Sequence, residues 1–180
     1  FLEAFIDAKP SQDWSLEIYG IDDDKSYKEE LIDLVKEKKF QNFIKFYKPE
    51  FDKKKKFKII SSSWCNVLLS KSEILSLSVL EAFSVGTQSL VNKKIFFPPW
   101  IKHKLISTSV EKNSLVKKIK YVMSQDVQDK KLIKSKMIKI FDEKYEIGKE
   151  KKNYKVFLEN IIKNHKKIFK FSNSFYFLFS

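Results

Sequence analysis

Two glutamates, Glu73 and Glu81, lie eight positions apart in the stretch KSEILSLSVLEAFSVGTQSLV. Glu73 follows a short apolar run at residues 66–70, and Glu81 lies inside an apolar segment that Gly86 ends. The pattern predicts a buried strand, a polar loop, a short helix and a second strand at residues 89–91. In a parallel sheet this loop lies at the carboxyl end of a strand, where open α/β sheets bind ligands. The amino end of the helix would supply free N–H groups there, which predicts an anion site.

Strand-like and helix-like segments alternate along the first hundred residues. Apolar strand segments occur near residues 16, 43, 66 and 89, with helical segments between them. Because this alternation is typical of parallel strands joined by right-handed crossovers, we predict an α/β fold, a Rossmann-like parallel sheet flanked by helices. The sequence has no Gly-x-Gly-x-x-Gly fingerprint and no Walker loop, which argues against a dinucleotide or P-loop site.

Apolar residues at helical spacing predict closing helices near residues 113–124, 129–144 and 151–169. Earlier in the chain, Ser26 is predicted to cap a helix, with Glu29 as its capping-box partner. The inner face of that earlier helix is predicted to hold Tyr27, Leu31, Leu34 and Val35, and that of the second closing helix Leu132, Ile133, Met137, Ile140 and Phe141.

The 180 residues, 21.4 kDa, fit a single domain by default. The sequence begins at Phe1 inside a predicted helix, so we expect the strand of the first βα unit to lie outside it. No apolar run reaches the length of a membrane span. Cys65 is the single cysteine and is predicted to be a buried, inert thiol.

The charge of the chain is concentrated in its carboxyl part. All 36 basic residues are lysines, and the formal net charge is +13. Residues 101–170 hold 20 Lys and eight acidic residues, a net charge of +12. A lysine-rich face attracts anionic surfaces, while the absence of Arg removes bidentate readers of phosphate and guanine. An anionic membrane surface and a solvated face that binds nothing are the two interpretations left open.

The stretch around the two glutamates resembles the donor-site signature of GT-B glycosyltransferases, especially the large retaining family 4. That signature is a Glu, roughly Gly-Phe-Gly-Leu, a second Glu eight positions after the first, then Ala and Gly-Thr-Pro. The matching residues here are Ser72-Glu73, Leu77, Leu80-Glu81-Ala82 and Gly86-Thr87. The departures are Ile74 and Ser76 at the two loop glycines and Gln88 at the proline.

The resemblance implies a role for each matching residue. Glu73 would contact the donor sugar and is the implied catalytic residue, while Glu81 would hydrogen-bond the ribose of the nucleotide. Backbone amides of the loop and helix start would hold the diphosphate. The donor-binding residues implied in this way are Ser72, Ile74, Leu75, Ser76, Leu77, Ser78 and Glu81. The resemblance implies no metal and no cofactor other than the nucleotide-diphosphate sugar, which is a substrate.

The resemblance covers roughly residues 1–170 and corresponds to the carboxyl-terminal, donor-binding half of a GT-B enzyme. It implies a Rossmann-like nucleotide-sugar-binding domain over residues 1–150 and a carboxyl-terminal helix and aromatic tail over residues 151–180. The acceptor-binding, amino-terminal domain is expected outside this sequence. The implied activity is a hexosyltransferase-like, retaining transfer to a glycan or lipid-linked acceptor in cell-surface polysaccharide or lipopolysaccharide biosynthesis. The expected location is cytoplasmic, with peripheral attachment to the inner face of the cytoplasmic membrane as an extension.

Plainer interpretations compete with each of these assignments. Ser78 to Glu81 also matches a capping box, so Glu81 could close the start of its own helix, and Glu73 could be a solvated loop carboxylate. The acidic run at residues 22–24 is better explained by a solvated turn than by a metal site, and His165 by helix packing. For the aromatic tail FKFSNSFYFLFS, the alternatives are a frayed end, packing on a further domain, and contact with lipid.

Two other classes of function remain as alternatives. The first is a basic nucleic-acid-binding module, which the net charge and the interleaved aromatic residues permit. No DNA- or RNA-reading motif supports it, so no nucleic-acid partner is expected. The second is a related GT-B enzyme, such as a sugar-nucleotide epimerase or a phosphorylase.

Overall fold

The computed structural model describes residues 1–20, 25–73, 76–144 and 177–179 of the chain. Within these residues, helices and strands alternate as the sequence predicts. The helices are α1 Leu2–Asp7, α2 Lys25–Glu37, α3 Lys53–Ser62, α4 Leu77–Ser84, α5 Pro99–Lys102, α6 Lys112–Met123 and α7 Val127–Lys144. The strands are β1 Leu16–Tyr19, β2 Ile44–Tyr47, β3 Cys65–Leu68, β4 Gln88–Asn92, β5 Ile106–Thr108 and β6 Phe177–Phe179.

The strands form one sheet in the order β2-β1-β6-β3-β4-β5. The pairs β1–β2, β3–β4 and β4–β5 are parallel, which confirms the predicted α/β, Rossmann-like arrangement. β6 is antiparallel to both of its neighbours, β1 and β3. β6 belongs to the aromatic tail, and a strand in the interior of the sheet was not among the three alternatives that the sequence suggested for this tail. The predicted helix at 151–169, the turn at 22–24 and the boundary at residue 150 lie outside the described residues.

Apolar side chains cover both faces of the sheet. On one face, Leu16 and Ile44 pack with side chains of α1, α2 and α6. On the other face, Leu68 and Val91 pack with side chains of α4, α5 and α7. Alternate residues of one strand point to opposite faces, so the single thiol, Cys65, faces the α6 side with Val122. Cys65 is 4% exposed, and its burial raises the pKa of the thiol to about 12.

Three details of the predicted helices are wrong. Ser26 is the second residue of α2 and not its cap, because the helix begins at Lys25. Tyr27 was predicted on the inner face of α2 but is 48% exposed, and Leu132 of α7 is 53% exposed. Tyr27 lies in the first turn of α2 and Leu132 in the second turn of α7, and the buried residues of these helices, Val35 and Met137, come later. No described helix combines the length and the apolarity needed to cross a bilayer.

Gly86 ends α4 and sets the distance between α4 and α7. Its φ is +76°, and a Cβ built at this position would lie 2.8 Å from the carbonyl oxygen and 2.9 Å from the Cα of Lys134. The amide of Gly86 donates to the carbonyl of Phe83, and that of Thr87 to Ala82. These two bonds form a Schellman motif, which satisfies the last carbonyls of the helix. A side chain at position 86 would therefore be strained and would also press on the backbone of α7.

Gly86→Ala should lower the free energy of unfolding by about 3 kcal/mol, because left-handed strain and overpacking each cost on the order of 1–2 kcal/mol or more. Lys39 provides the matched control, since it is exposed, has a φ of +60° and follows α2 with a similar bonding pattern. Lys39→Gly should raise the free energy by about 1 kcal/mol. Urea denaturation measures both changes. A Gly86→Ala variant as stable as wild type would contradict the close approach to α7.

Candidate functional site

The loop between β3 and α4 lies at the carboxyl edge of the parallel strands, as the sequence predicts. β3 ends at Leu68, and α4 begins at Leu77 with Ser76 as its N-cap residue. Ser72 is exposed in this loop, Leu77 is 52% exposed, and Ile74 and Leu75 lie outside the described residues. The structure thus places the described part of the predicted donor-binding segment around the amino end of one helix.

The amino end of α4 carries hydrogen-bonding groups that have no partner within the helix itself. The carbonyl of Ser76 accepts from the amides of Val79 and Leu80, both at 3.1 Å. The amides of Leu77 and Ser78 precede these and have no acceptor within their own helix. Ser76 is only 6% exposed. Its hydroxyl is buried and has no hydrogen-bond partner among the described residues. Free donors at the positive end of a helix dipole suit an anionic ligand.

Glu73 is held in place by a chain of hydrogen bonds to the next strand. The hydroxyl of Ser70 donates to Oε1 of Glu73 at 2.6 Å. The carbonyl of Ser70 accepts from the side-chain amide of Asn92, at the end of β4, at 3.0 Å. Asn92 is 3% exposed, and its Oδ1 accepts from the amide of Lys94. Glu73 is therefore a half-buried, positioned carboxylate rather than a fully solvated one.

Glu81 forms an ion pair across two helices. Its Oε1 lies 2.6 Å from Nζ of Lys56 on α3, and both side chains are 25% exposed. The capping-box alternative is wrong, because α4 begins before Ser78, with Ser76 at its N-cap position. The pair fixes the carboxylate of Glu81 and leaves its other oxygen able to accept a hydrogen bond.

The remainder of the signature has a structural role. Gly86 allows the close approach of α7, and the hydroxyl of Thr87 donates to the carbonyl of Ile60 at 2.7 Å. Thr87 is 4% exposed and ties the start of β4 to the end of α3. These two residues position α4 from its carboxyl end.

Three residues that hold the glutamates were missed at the sequence level, namely Lys56, Ser70 and Asn92. Lys56 was one of four consecutive lysines that the sequence could not tell apart, and it lies 25 residues from Glu81. Of these three residues, Ser70 could have been found from the sequence, because a Ser commonly forms hydrogen bonds with residues nearby in the chain, and Ser70 lies three residues before Glu73. Within the described ranges, no group of three His, Cys, Asp or Glu side chains could hold a metal ion.

Parallel strands with the amino end of α4 and the carboxylate of Glu73 at their carboxyl edge have the arrangement at which open α/β sheets bind ligands. The family model for "Glycosyl transferases group 1" matches residues 1–137, and the chain belongs to this family. The predicted membership of the GT-B glycosyltransferases is confirmed. No curated protein matches the chain significantly.

Two of the solved structures with a similar fold are glycosyltransferase-related proteins of known source. One is Alr3699/HepE from Anabaena in complex with UDP and glucose, with a TM-score of 0.64 and 16% identity over 88% of this chain. The other is a glycosyltransferase from Rickettsia africae ESF-5, with a TM-score of 0.59 and 16% identity over 83% of this chain. The chain spans only 44% and 42% of those two proteins. It therefore corresponds to less than half of each.

The Lys56–Glu81 pair should show a measurable coupling energy. In a double-mutant cycle with Lys56→Gln and Glu81→Gln, we expect a coupling of about 1 kcal/mol, at the upper end for partly exposed pairs. The matched control is Lys36–Asp33, whose side chains are 61% and 73% exposed, and whose coupling should stay below about 0.5 kcal/mol. Urea denaturation at low and high salt measures both. Equal couplings for the two pairs would show that the inter-helix bridge is not formed in solution.

Proposed function

We propose that this chain binds the nucleotide-diphosphate sugar of a retaining glycosyltransferase. The observation that carries the proposal is the amino end of α4, where Ser76 has a buried hydroxyl without a partner among the described residues. A diphosphate would accept hydrogen bonds from this hydroxyl and from the first amides of the helix. UDP, which accompanies glucose in the Anabaena protein, is the natural first probe.

The two glutamates have different proposed tasks. Glu73, oriented by Ser70, is proposed as the catalytic residue that contacts the hydroxyls of the donor sugar. Glu81 is proposed to accept a hydrogen bond from the ribose, with Lys56 holding its carboxylate in place. Ser72, Ile74, Leu75, Leu77 and Ser78 complete the proposed donor-binding segment.

The proposed chemistry relies on electrostatic stabilisation of the leaving group. When the bond between the sugar and the diphosphate breaks, negative charge grows on the phosphate oxygens. Fixed dipoles and N–H donors at the start of α4 would stabilise that charge without reorganisation. The proposal assigns no step to a metal ion or a cofactor. Retention of configuration is carried over from the family resemblance.

The acceptor and the setting are also proposals. Because the chain spans less than half of the two similar proteins, the acceptor would be held by a second domain outside this sequence. A glycan or lipid-linked acceptor in cell-surface polysaccharide or lipopolysaccharide synthesis is proposed. The corresponding location is the cytoplasm, at the inner face of the cytoplasmic membrane.

Nucleotide titration tests the diphosphate contact directly. By isothermal calorimetry, UDP should bind at least about tenfold more tightly than uridine, because charge-assisted hydrogen bonds contribute roughly 1.5–3 kcal/mol. Ser76→Ala should reduce the ratio of these two affinities severalfold. Ser84→Ala is the matched control on the same helix, since the Ser84 hydroxyl donates to the Glu81 carbonyl at the opposite end. Equal binding of UDP and uridine by the folded wild type would refute the proposal.

Membrane attachment is tested by co-sedimentation with anionic vesicles. Lys131 and Lys136 are exposed on α7, within the strongly basic part of the chain. Their combined replacement by Gln should weaken vesicle binding about thirtyfold, at ~1 kcal/mol per lysine. The same replacements at Lys36, in the last turn of α2, and at Lys38, just after this helix, should have little effect, although both lysines are also exposed. Binding that is insensitive to added salt would rule out this electrostatic attachment.

A further inference from the structure

The loop between β4 and α5, residues 93–98, holds an aromatic ring in solvent. Phe96 is 80% exposed, whereas its neighbours Ile95 and Phe97 are each 6% exposed. These two neighbours belong to the apolar cluster that includes Phe83 of α4 and Met137 of α7. Phe96 could turn inward only if both neighbours left this cluster, so the packing of the loop keeps its ring outward.

Hydrogen bonds fix the same loop to the carboxyl edge of the sheet. The amide of Lys94 donates to Oδ1 of Asn92 at 3.1 Å, and the amide of Ile95 donates to the Asn92 carbonyl at 3.0 Å. The amide of Lys93 donates to the carbonyl of Thr108, at the end of β5, at 2.7 Å. The loop therefore presents its outward side chains from a defined backbone.

The side chains around Phe96 are basic. Lys93 and Lys94 precede it and are exposed, and Lys102, at the end of α5, is also exposed. The sequence has no acidic residue between positions 82 and 110. An exposed apolar ring thus lies in a stretch of chain whose charge is entirely positive.

A single exposed apolar residue is ordinary on a protein surface, and Phe51 shows the ordinary case. It is also 80% exposed, in the connection between β2 and α3. Its two neighbours in the chain are Glu50 and Asp52, which carry negative charge beside the ring. The combination of an outward ring and neighbouring lysines therefore distinguishes Phe96 from Phe51.

We propose that the β4–α5 loop is a membrane anchor that inserts Phe96 into an anionic lipid surface. The ring would enter the boundary between headgroups and acyl chains, while Lys93 and Lys94 would reach the lipid phosphates. A protein partner fits less well, because lysine is depleted from protein–protein interfaces, whereas each lysine near an anionic bilayer strengthens binding. The inference rests on the membrane setting proposed above and adds an apolar contact to it.

The anchor would also orient the candidate site toward the membrane. The side chain of Asn92, which holds the loop, donates to the Ser70 carbonyl, and the Ser70 hydroxyl donates to Glu73. The loop and Glu73 therefore lie on the same edge of the sheet. Insertion of Phe96 would hold this edge against the lipid surface, where a lipid-linked acceptor would be located.

Co-sedimentation with vesicles of equal parts phosphatidylglycerol and phosphatidylcholine tests the insertion. Phe96→Ser should weaken binding about tenfold, the lower end of what burial of a phenylalanine side chain contributes. Phe51→Ser is the matched control, because it changes an equally exposed phenylalanine, and it should bind as wild type does. Both changes affect exposed side chains, so the midpoint of urea denaturation should stay at the wild-type value.

Added salt separates the apolar contact from the attraction between charges. The affinity of wild type for the vesicles should fall as salt is raised, because exposed charges are screened. The ratio of the wild-type affinity to that of Phe96→Ser should stay about tenfold, because burial of an apolar ring does not depend on charge. A ratio that disappears at high salt would overturn the inference.

Fluorescence of Phe96→Trp reports whether this position enters the bilayer. After subtraction of the wild-type signal, its emission should shift to shorter wavelength on the same vesicles and should be quenched by lipids with brominated acyl chains. Phe51→Trp should show neither change. An emission from Phe96→Trp that stays unquenched on bound protein would show that the ring remains in water and would contradict the insertion.

The remaining outcomes separate this inference from the proposals above. Equal vesicle binding by wild type and Phe96→Ser would overturn the anchor and leave the attachment through α7 standing. Absence of vesicle binding by wild type would overturn both, without bearing on nucleotide binding. In sedimentation velocity without lipid, a wild-type oligomer that Phe96→Ser dissociates would show that a second copy of the chain covers Phe96, which would also overturn the anchor.

Discussion

The close approach of Gly86 to the backbone of Lys134 is the constraint on which the position of α4 depends. With no Cβ, residue 86 adopts a left-handed conformation and lets α7 pack where a side chain would collide. α7 contributes Met137 to the cluster that buries Val79 and Phe83 of α4. The direction of α4, and hence the position of its amino end at the sheet edge, follows from this packing.

Polar contacts act on this framework by orienting side chains rather than by stabilising the fold. The Lys56–Glu81 pair is partly exposed, so its free energy is small beside that of the apolar clusters. Its effect is geometric, because it holds the carboxylate of Glu81 in one rotamer, whereas a solvated side chain would adopt several. Ser70 and Asn92 do the same for Glu73. The two glutamates are thus held by groups from three different elements of the fold.

The residues of the signature lie at both ends of α4 and have different roles at each end. Gly86 and Thr87 fix the carboxyl end of α4, where no ligand is proposed. The amino end carries the first amides of the helix and the Ser76 hydroxyl, which has no partner among the described residues. At Ser76 the family signature has a glycine, and this chain provides a buried hydroxyl donor in its place. Compared with glycine, Ser76 has less backbone freedom but adds a hydrogen-bond donor.

The alternation of apolar strands and amphipathic helices determined the α/β class, and the ordered motif around Glu73 and Glu81 determined the family. Both are local properties, because periodicity and spacing are properties of contiguous residues. The order of the strands, the antiparallel β6 in the sheet interior and the partners Lys56 and Asn92 were decided only by the tertiary structure. Each of these brings together residues that are distant in sequence, such as Ile18 and Leu178 or Lys56 and Glu81. Many lysines and apolar residues of the chain could fill such places equally well, and packing in three dimensions selects among them.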